Sequence, residues 1–529
     1  MTMEEFCKRY SVFFLFIILV LAVFFRTYQL TTIPPGLYPD EAMNGNNALE
    51  AIHTGQDKIF YPENNGREGL FINIQAQSIK IFGNEPWALR LVSAIFGILT
   101  VLGLYLLTKD LFQKESVALL ASFFLAVSFW HINFSRIGFR AIMAPCFLTW
   151  SLWLLWKIAQ ETKIFDSLTL RRPRLESKIL FLALISGAIF GLGFHSYIAY
   201  RIAPLILIPP FLLLIKEKKF LIICFFIIGA FATALPLLNY FYHNPQDFFG
   251  RTTQISIFSS ESPLLDLGKN IIKTAGMFFW AGDYNWRHNI AGAPELWWPI
   301  AILFLIGLII SIKNLRVTRY ALLVTWLIVM LLPVVISNEG IPHALRAIIV
   351  VPPAMIFASL GLVWLLEKIN LKIEDGRLKK ELIILFFTFL IVVSINSYKQ
   401  YFLDWAGNPR VQDAFNENYA ELGHYLKYSP QDIKKYVIIN AEGVDVRGIP
   451  MSSQTAMFLT DTFWPEQQKE KNIFYILPKN LGEFIKTTDD EENLQIFMLE
   501  IDPFLWQKFS ADIPGLFSYQ DGGILIQQK

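Results

Sequence analysis

Apolar residues fill the first 397 positions in long runs and then give way to short stretches. A helix needs roughly 20 mostly apolar residues to cross the hydrocarbon of a bilayer. Runs of this kind predict about eleven spans, centred on 11–25, 86–108, 116–134, 140–158, 179–197, 201–215, 220–240, 296–312, 320–337, 347–366 and 381–397. Pro204, Pro236, Pro333, Pro352 and Pro353 fall inside several runs, so the count is good to about one or two spans. The first run follows Lys8 and Arg9 and lacks a small-residue cleavage site after it, which makes it an uncleaved anchor. Beyond residue 398, the runs 436–439, 473–477, 494–498 and 523–526 read as strands. Segments near 411–428 and 480–487 read as helices. The fold class expected is a polytopic α-helical membrane protein, residues 1–397, followed by a small α/β domain, residues 398–529.

Composition narrows the class further. Of 529 residues 54% are hydrophobic and 17% charged, against about 25% charged in an ordinary soluble domain. A mean hydropathy of +0.42 excludes a disordered chain, a collagen-like chain and a soluble multidomain enzyme. Cys7, Cys146 and Cys224 lie in or beside apolar runs at no metal-like spacing, so neither a disulfide framework nor a zinc site follows from them.

Charge gives the direction of the spans. Lys and Arg concentrate in alternate loops, at Lys109 and Lys114, Lys163 to Lys178 with Arg171, Arg172 and Arg174 between, Lys216 to Lys219, Lys313 to Arg319, and Lys368 to Lys380. With an odd number of spans and a cytoplasmic N-terminus beside Lys8-Arg9, all of these loops fall in the cytoplasm, as the positive-inside bias requires. Residues 26–85, 241–295 and 338–346 and everything beyond about 398 are then extracytoplasmic. That last part holds 12 Lys and Arg against 19 Asp and Glu, so it is acidic where the membrane part is basic. Its acidic run Asp489-Asp490-Glu491-Glu492 reads as a solvated turn, and nothing else in it carries recognisable chemistry.

The outer loops hold the candidate chemistry. Asp40 and Glu41 follow the proline-stiffened turn Pro34-Pro35-Gly36-Leu37-Tyr38-Pro39, just after the first span. A helix cap would account for Asp40, with Glu41 favoured by the helix dipole; a general base beside the membrane would use the same placement. Arg67 and Glu68 form either an exposed ion pair of small value or part of a site. In the fourth outer loop Asp283, Tyr284, Asn285, Trp286 and Arg287 interleave rings with amides and charges, which suits a sugar or an interfacial aromatic belt. Arg136, Arg140, His195, Tyr197, Arg201, His343 and Arg346 cluster at outer helix ends, against the positive-inside bias. Each arginine could snorkel to headgroups; together they offer forked donors to a phosphate.

The chain resembles the GT-C glycosyltransferases, in particular the bacterial branch related to dolichyl-phosphate-mannose protein mannosyltransferases and the aminoarabinose transferase of lipid A. The resemblance rests on Asp40-Glu41, on Arg67-Glu68-Gly69-Leu70, on Ala88 to Ala94, on Gly282 to Asn289 and on Pro342-His343-Ala344-Leu345-Arg346. It covers the membrane part. Relatives often carry a His-x-Pro-Pro-Leu pattern where this chain has Gly66-Arg67-Glu68-Gly69-Leu70, which bears on the acceptor. The resemblance implies an inverting transfer of a sugar from a polyprenyl-phosphate-linked donor to a protein, lipid or glycan acceptor at the outer face of the cytoplasmic (inner) membrane. It makes Asp40 the base, Glu41 an orienting group, and Arg136, Arg140, Arg201 and Arg346 the pool of phosphate ligands, with His343 assisting. No cofactor or nucleic acid is expected, and no metal is implied, since the outer loops hold no Asp-x-Asp motif. A transporter or flippase of lipid-linked glycans is the alternative; it should place its polar groups at mid-membrane in two matching halves, whereas here they gather at one face.

Overall fold

The computed structural model of the chain describes residues 3–167, 173–371, 375–488, 493–513, 515–521 and 524–529. Arg171, Arg172, Lys372, the run Asp489 to Glu492 and Gly523 of the last predicted strand lie outside the described residues. The chain divides into two compact units, Met1–Leu30 with Arg90–Gly407, and Thr31–Leu89 with Asn408–Lys529. The segment 31–89, expected as a loop of the membrane part, thus groups with the C-terminal residues.

The predicted apolar stretches overlap helices, though several run past a helix end by a residue or two. Among the described residues seven helices are long and apolar enough to cross a membrane: Pro86–Phe112, Arg140–Thr162, Glu176–His195, Ile198–Lys216, Phe220–His243, Thr318–Val335 and Ile348–Asn370. The apolar helices Ser11–Thr27, Glu115–Ala126 and Trp298–Lys313 are shorter, and the stretch 381–397 lies in the helix Gly376–Tyr398. The stretch 116–134 is not one helix, because Ser128 caps a separate turn, Phe129–Phe134. The protein is a multi-pass membrane protein.

Burial separates the helices by role. Ile348–Asn370 is 89% buried over its apolar window and Phe220–His243 only 28%. The latter leaves Phe220, Ile227, Phe231, Leu235 and Leu238 exposed; in water that surface would be unfavourable, whereas lipid solvates it at no cost. Where helices meet, small residues let backbones touch. A Cβ on Gly229 would strike the carbonyl oxygen of Leu184, and one on Gly187 that of Phe226, which locks Phe220–His243 against Pro173–Leu192.

The second unit is an α/β fold. Strands run in the order Ile473–Ile476, Lys434–Ile438, Leu494–Met498, Ile524–Gln528 and Phe517–Asp521; the first three are parallel and the last two join antiparallel. The period-two alternation of a strand sends Val437, Ile439, Phe497 and Leu499 to one face, against Tyr419, Leu422 and Leu426. Tyr436, Ile438, Ile496 and Met498 pack on the other face, against Leu481, Phe484 and Phe509. The predicted helix 411–428 is divided at Asn416, whose φ of +52° ends one helix before Glu417–Tyr428 begins. A crevice of about 840 Å³ opens beyond the carboxyl ends of the parallel strands, beside Asn440, Glu442, Pro450 and Pro478, where open α/β sheets commonly bind ligands.

The helix Pro39–Thr54 is built into this unit. Gly45 lies so close to the Phe458 ring that a Cβ would meet it at 2.5 Å. The Asn46 amide donates to Gln454 Oε1 at 2.9 Å, and Thr455 Oγ1 donates to the carbonyl of Leu37 at 2.9 Å.

Candidate functional site

Pro39 occupies the first position of its helix, which suits a residue with no N–H, and Tyr38 takes the cap place. Asp40 is therefore not the cap; it sits in the first turn with Glu41, where the helix dipole favours carboxylates. Asp40 is half-buried and accepts a hydrogen bond from Asn64 Nδ2 at 2.8 Å, while Glu41 is fully buried. Asp40, Asn44 and Asn47 are spaced four and three apart and so share one helix face. Arg67 meets that face. It sits in the strand Arg67–Glu68, paired with Phe60–Tyr61, and donates from Nη1 to Asn44 Oδ1 at 2.8 Å and from Nη2 to Asn47 Oδ1 at 2.5 Å. Arg67 and Glu68 are both buried, not an exposed pair.

The same helix face continues to Glu50, which accepts from Asn47 Nδ2 at 3.2 Å and from Lys58 Nζ at 2.8 Å. Arg447 Nη2 reaches both Glu50 Oε2, at 3.2 Å, and Glu63 Oε1, at 2.6 Å. Burial works to raise the Glu63 carboxyl, but the hydrogen bond and charge of Arg447 prevail and hold it below the usual range. Asn44, Asn47 and Glu50 follow Asp40 at helical spacing, a signal present in the sequence, whereas Arg447, 397 positions beyond Glu50, has none.

In the first unit the fourth-loop candidates separate. Asp283 is buried and central. Its Oδ2 accepts from His288 Nδ1 and from the backbone N–H of Ala344, both at 2.8 Å, and its Oδ1 accepts from the N–H of Asn285 at 2.8 Å. His343 Nδ1 stands 3.8 Å from the same Oδ2, and its ring lies 4.9 Å from that of His288. Burial tends to raise the Asp283 carboxyl, and the imidazoles of His288 and His343 override it, leaving it below the usual range. Burial, with the nearby His288 and Arg346, pushes His343 well below its ordinary value. Asp283, His288 and His343 could hold a metal ion. His288 was missed, since five residues from Asp283 is no recognised ligand spacing.

The other candidates serve local structure. Asn285 Oδ1 accepts from the N–H of Arg287, and the carbonyls of Trp286 and Arg287 accept from Trp405 Nε1 and Asn133 Nδ2. Arg346 donates to Ser337 Oγ at 2.5 Å and to Glu339 Oε2 at 3.0 Å. Arg136 is buried, donates to the carbonyls of Phe25 and Tyr28, and lies over the rings of Tyr401 and Phe402. Arg140 is half-buried over Tyr197. His195 Nε2 contacts the carbonyl of Thr233 at 2.9 Å, and Arg201 donates to the carbonyl of Phe248 while stacking on its ring at 4.2 Å.

Residues 70–240 match the family model described as dolichyl-phosphate-mannose-protein mannosyltransferase. The fold is similar to that of ArnT from Cupriavidus metallidurans bound to undecaprenyl phosphate, with a TM-score of 0.58 at 12% identity over 98% of each chain. The apo state of that protein gives a TM-score of 0.59 at 12% identity, covering 98% of this chain and 97% of that one. The archaeal oligosaccharyltransferase AglB from Archaeoglobus fulgidus, in complex with an inhibitory peptide and a dolichol-phosphate, gives 0.53 at 14% identity over 98% of this chain and 74% of that one. No curated protein sequence matches significantly. Since the likeness to ArnT runs the length of both chains, this membrane protein has the GT-C fold.

Proposed function

We propose that the protein is an inverting glycosyltransferase that moves a sugar from a polyprenyl-phosphate-linked donor to an acceptor hydroxyl at the outer face of the cytoplasmic membrane. The observation that carries the proposal is the half-buried Asp40, oriented by Asn64 in the first turn of its helix, in a chain of the GT-C fold. Two solved structures sharing the fold contain undecaprenyl phosphate or dolichol-phosphate, which supports a lipid-linked donor. A protein, lipid or glycan acceptor fits the reading.

Asp40 takes the proton of the acceptor hydroxyl as its oxygen attacks the anomeric carbon. The bond from that carbon to the phosphate oxygen breaks, and the electron pair leaves with the polyprenyl phosphate. Because the phosphate leaves already ionised, positive charge serves it better than an acid does. Arg140, Arg201 and Arg346 are the proposed phosphate ligands, with His343 assisting. Arg136, fully buried with both terminal nitrogens on main-chain carbonyls, leaves that pool, and Arg346 would have to exchange its bonds to Ser337 and Glu339 for the phosphate. The fully buried Glu41 holds the site in place and does not act on the proton.

Asp40→Asn keeps the size of the side chain and removes its basicity. In reconstituted membranes supplied with polyprenyl-phosphate sugars it should lower kcat/KM by about 100-fold or more. Transfer at the wild-type rate by that variant would remove Asp40 from the mechanism. Failure of the wild type to transfer any such sugar, with translocation of the lipid intact, would favour the flippase reading.

A further inference from the structure

We infer that Asp283, His288 and His343 form a binding site for one divalent transition-metal ion of the zinc type. Two histidines and one carboxylate are a ligand set that such ions take, with a fourth place left for an oxygen ligand. Loops more than fifty residues apart in the chain deliver the three side chains to one point, where their ligand atoms lie within 4.8 Å of one another. Asp283 Oδ2 is 2.8 Å from His288 Nδ1 and 3.8 Å from His343 Nδ1. Ligand bonds of about 2.0–2.1 Å set such atoms roughly 3.3–3.5 Å apart, so the two observed distances bracket the requirement. Small ring movements then complete the geometry.

The surroundings are those of a held ligand set. The N–H groups of Asn285 and Ala344 fix the Asp283 carboxylate, and Glu295 Oε1 accepts from the N–H of Asp283 at 2.9 Å. Outer partners of this kind orient metal ligands. The Phe134 ring packs 5.5 Å from that of His288. Two bonds would be given up on loading. His288 Nδ1, which donates its proton to Asp283, would release that proton to solvent and present its lone pair. His343 Nδ1 would exchange a long 3.4 Å bond from the N–H of Arg346 for the ion. The site shares His343 with the proposed donor-phosphate set, but metal binding is measured without turnover, so its failure and a failure of sugar transfer are distinguishable.

The test uses the full chain in detergent, stripped with a chelator and returned to zinc or cobalt. The expected result is about one zinc retained per chain after gel filtration, visible absorption from bound cobalt, and a higher melting temperature with zinc than without. Asp283→Asn and His343→Asn should each weaken zinc binding at least ten-fold, whereas His243→Ala, at an exposed histidine outside the cluster, should bind as the wild type does. Zinc that neither stays with the wild-type chain nor shifts its melting would overturn the inference, and needs no variant to fold. Unaltered binding by both cluster variants would equally reduce the three residues to a hydrogen-bonded group.

Discussion

Arg67 shows how far a single residue departs from its sequence setting. Beside Glu68 it reads as half of a surface pair worth little. In the fold it is buried, with two terminal nitrogens divided between Asn44 and Asn47. Both amide oxygens lose a charged donor if the guanidinium goes, and a buried acceptor left unmade costs about 1–3 kcal/mol. Arg67→Ala should therefore destabilise the second unit by roughly 2–4 kcal/mol, read as a fall in melting temperature of the purified protein. Arg67→Lys should recover only part, since one ammonium cannot span two acceptors as a planar fork does. A melting temperature unchanged in Arg67→Ala would mean that the two asparagines find other donors at no cost. The role of Asp283 is hidden in the same way, because of the residues that define it His288 stands at no recognised ligand spacing and Ala344 is apolar and 61 positions away.

At the scale of elements, periodicity was legible and close pairing was not. Helical spans and parallel strands announce themselves through runs and alternation, so 494–498 falls on a strand and 436–439 and 473–477 overrun theirs by one residue each. The strand Phe517–Asp521 escaped because it mixes Ser, Gln and Asp with its aromatics and is largely exposed. A short hairpin also escaped. Strands Asp445–Val446 and Ile449–Pro450 pair through a two-residue turn, Arg447 at φ +55° and Gly448 at φ +87°. Positive φ at both places matches the twist of a hairpin, and Arg is an unusual choice for the first. Its side chain gives the reason, since the turn aims it at Glu50 and Glu63 and over the ring of Trp464 at 4.6 Å. Arg447→Asn should keep the turn and lose the ion pairs, lowering stability at neutral pH by about 1–3 kcal/mol. The pH dependence has a definite sign. Glu63 is held below its ordinary 4.5 in the folded chain, so its contribution is present above about that pH and is lost as pH falls through the lowered value. Acid titration of stability should accordingly be steeper in the wild type than in Arg447→Asn, and parallel curves would separate Glu63 from Arg447.

For the whole molecule, the sequence disclosed that the chain crosses a membrane many times, while the grouping of residues 31–89 with 408–529 was not legible. That grouping depends on Gly45 against Phe458 and Asn46 against Gln454, contacts between residues about 400 positions apart that no local pattern encodes. It has a consequence for topology. Residues of one compact unit belong on one side of the bilayer, since folding a polar unit across hydrocarbon would strand its hydrogen-bonding groups. The proposed side is the exterior, from the positive-inside bias of the basic loops. Two variants, each with one added cysteine, separate the possibilities. A cysteine at Lys529 should react with a membrane-impermeant maleimide on intact cells, and one at Lys380, near the start of the helix Gly376–Tyr398 on the side proposed to be cytoplasmic, only after permeabilisation. The native thiols interfere little, because Cys7 and Cys146 are buried and Cys224 lies within an apolar helix. Labelling at 380 and protection at 529 would invert the orientation and carry Asp40 to the cytoplasmic side with the rest of its unit, away from any donor presented at the outer face.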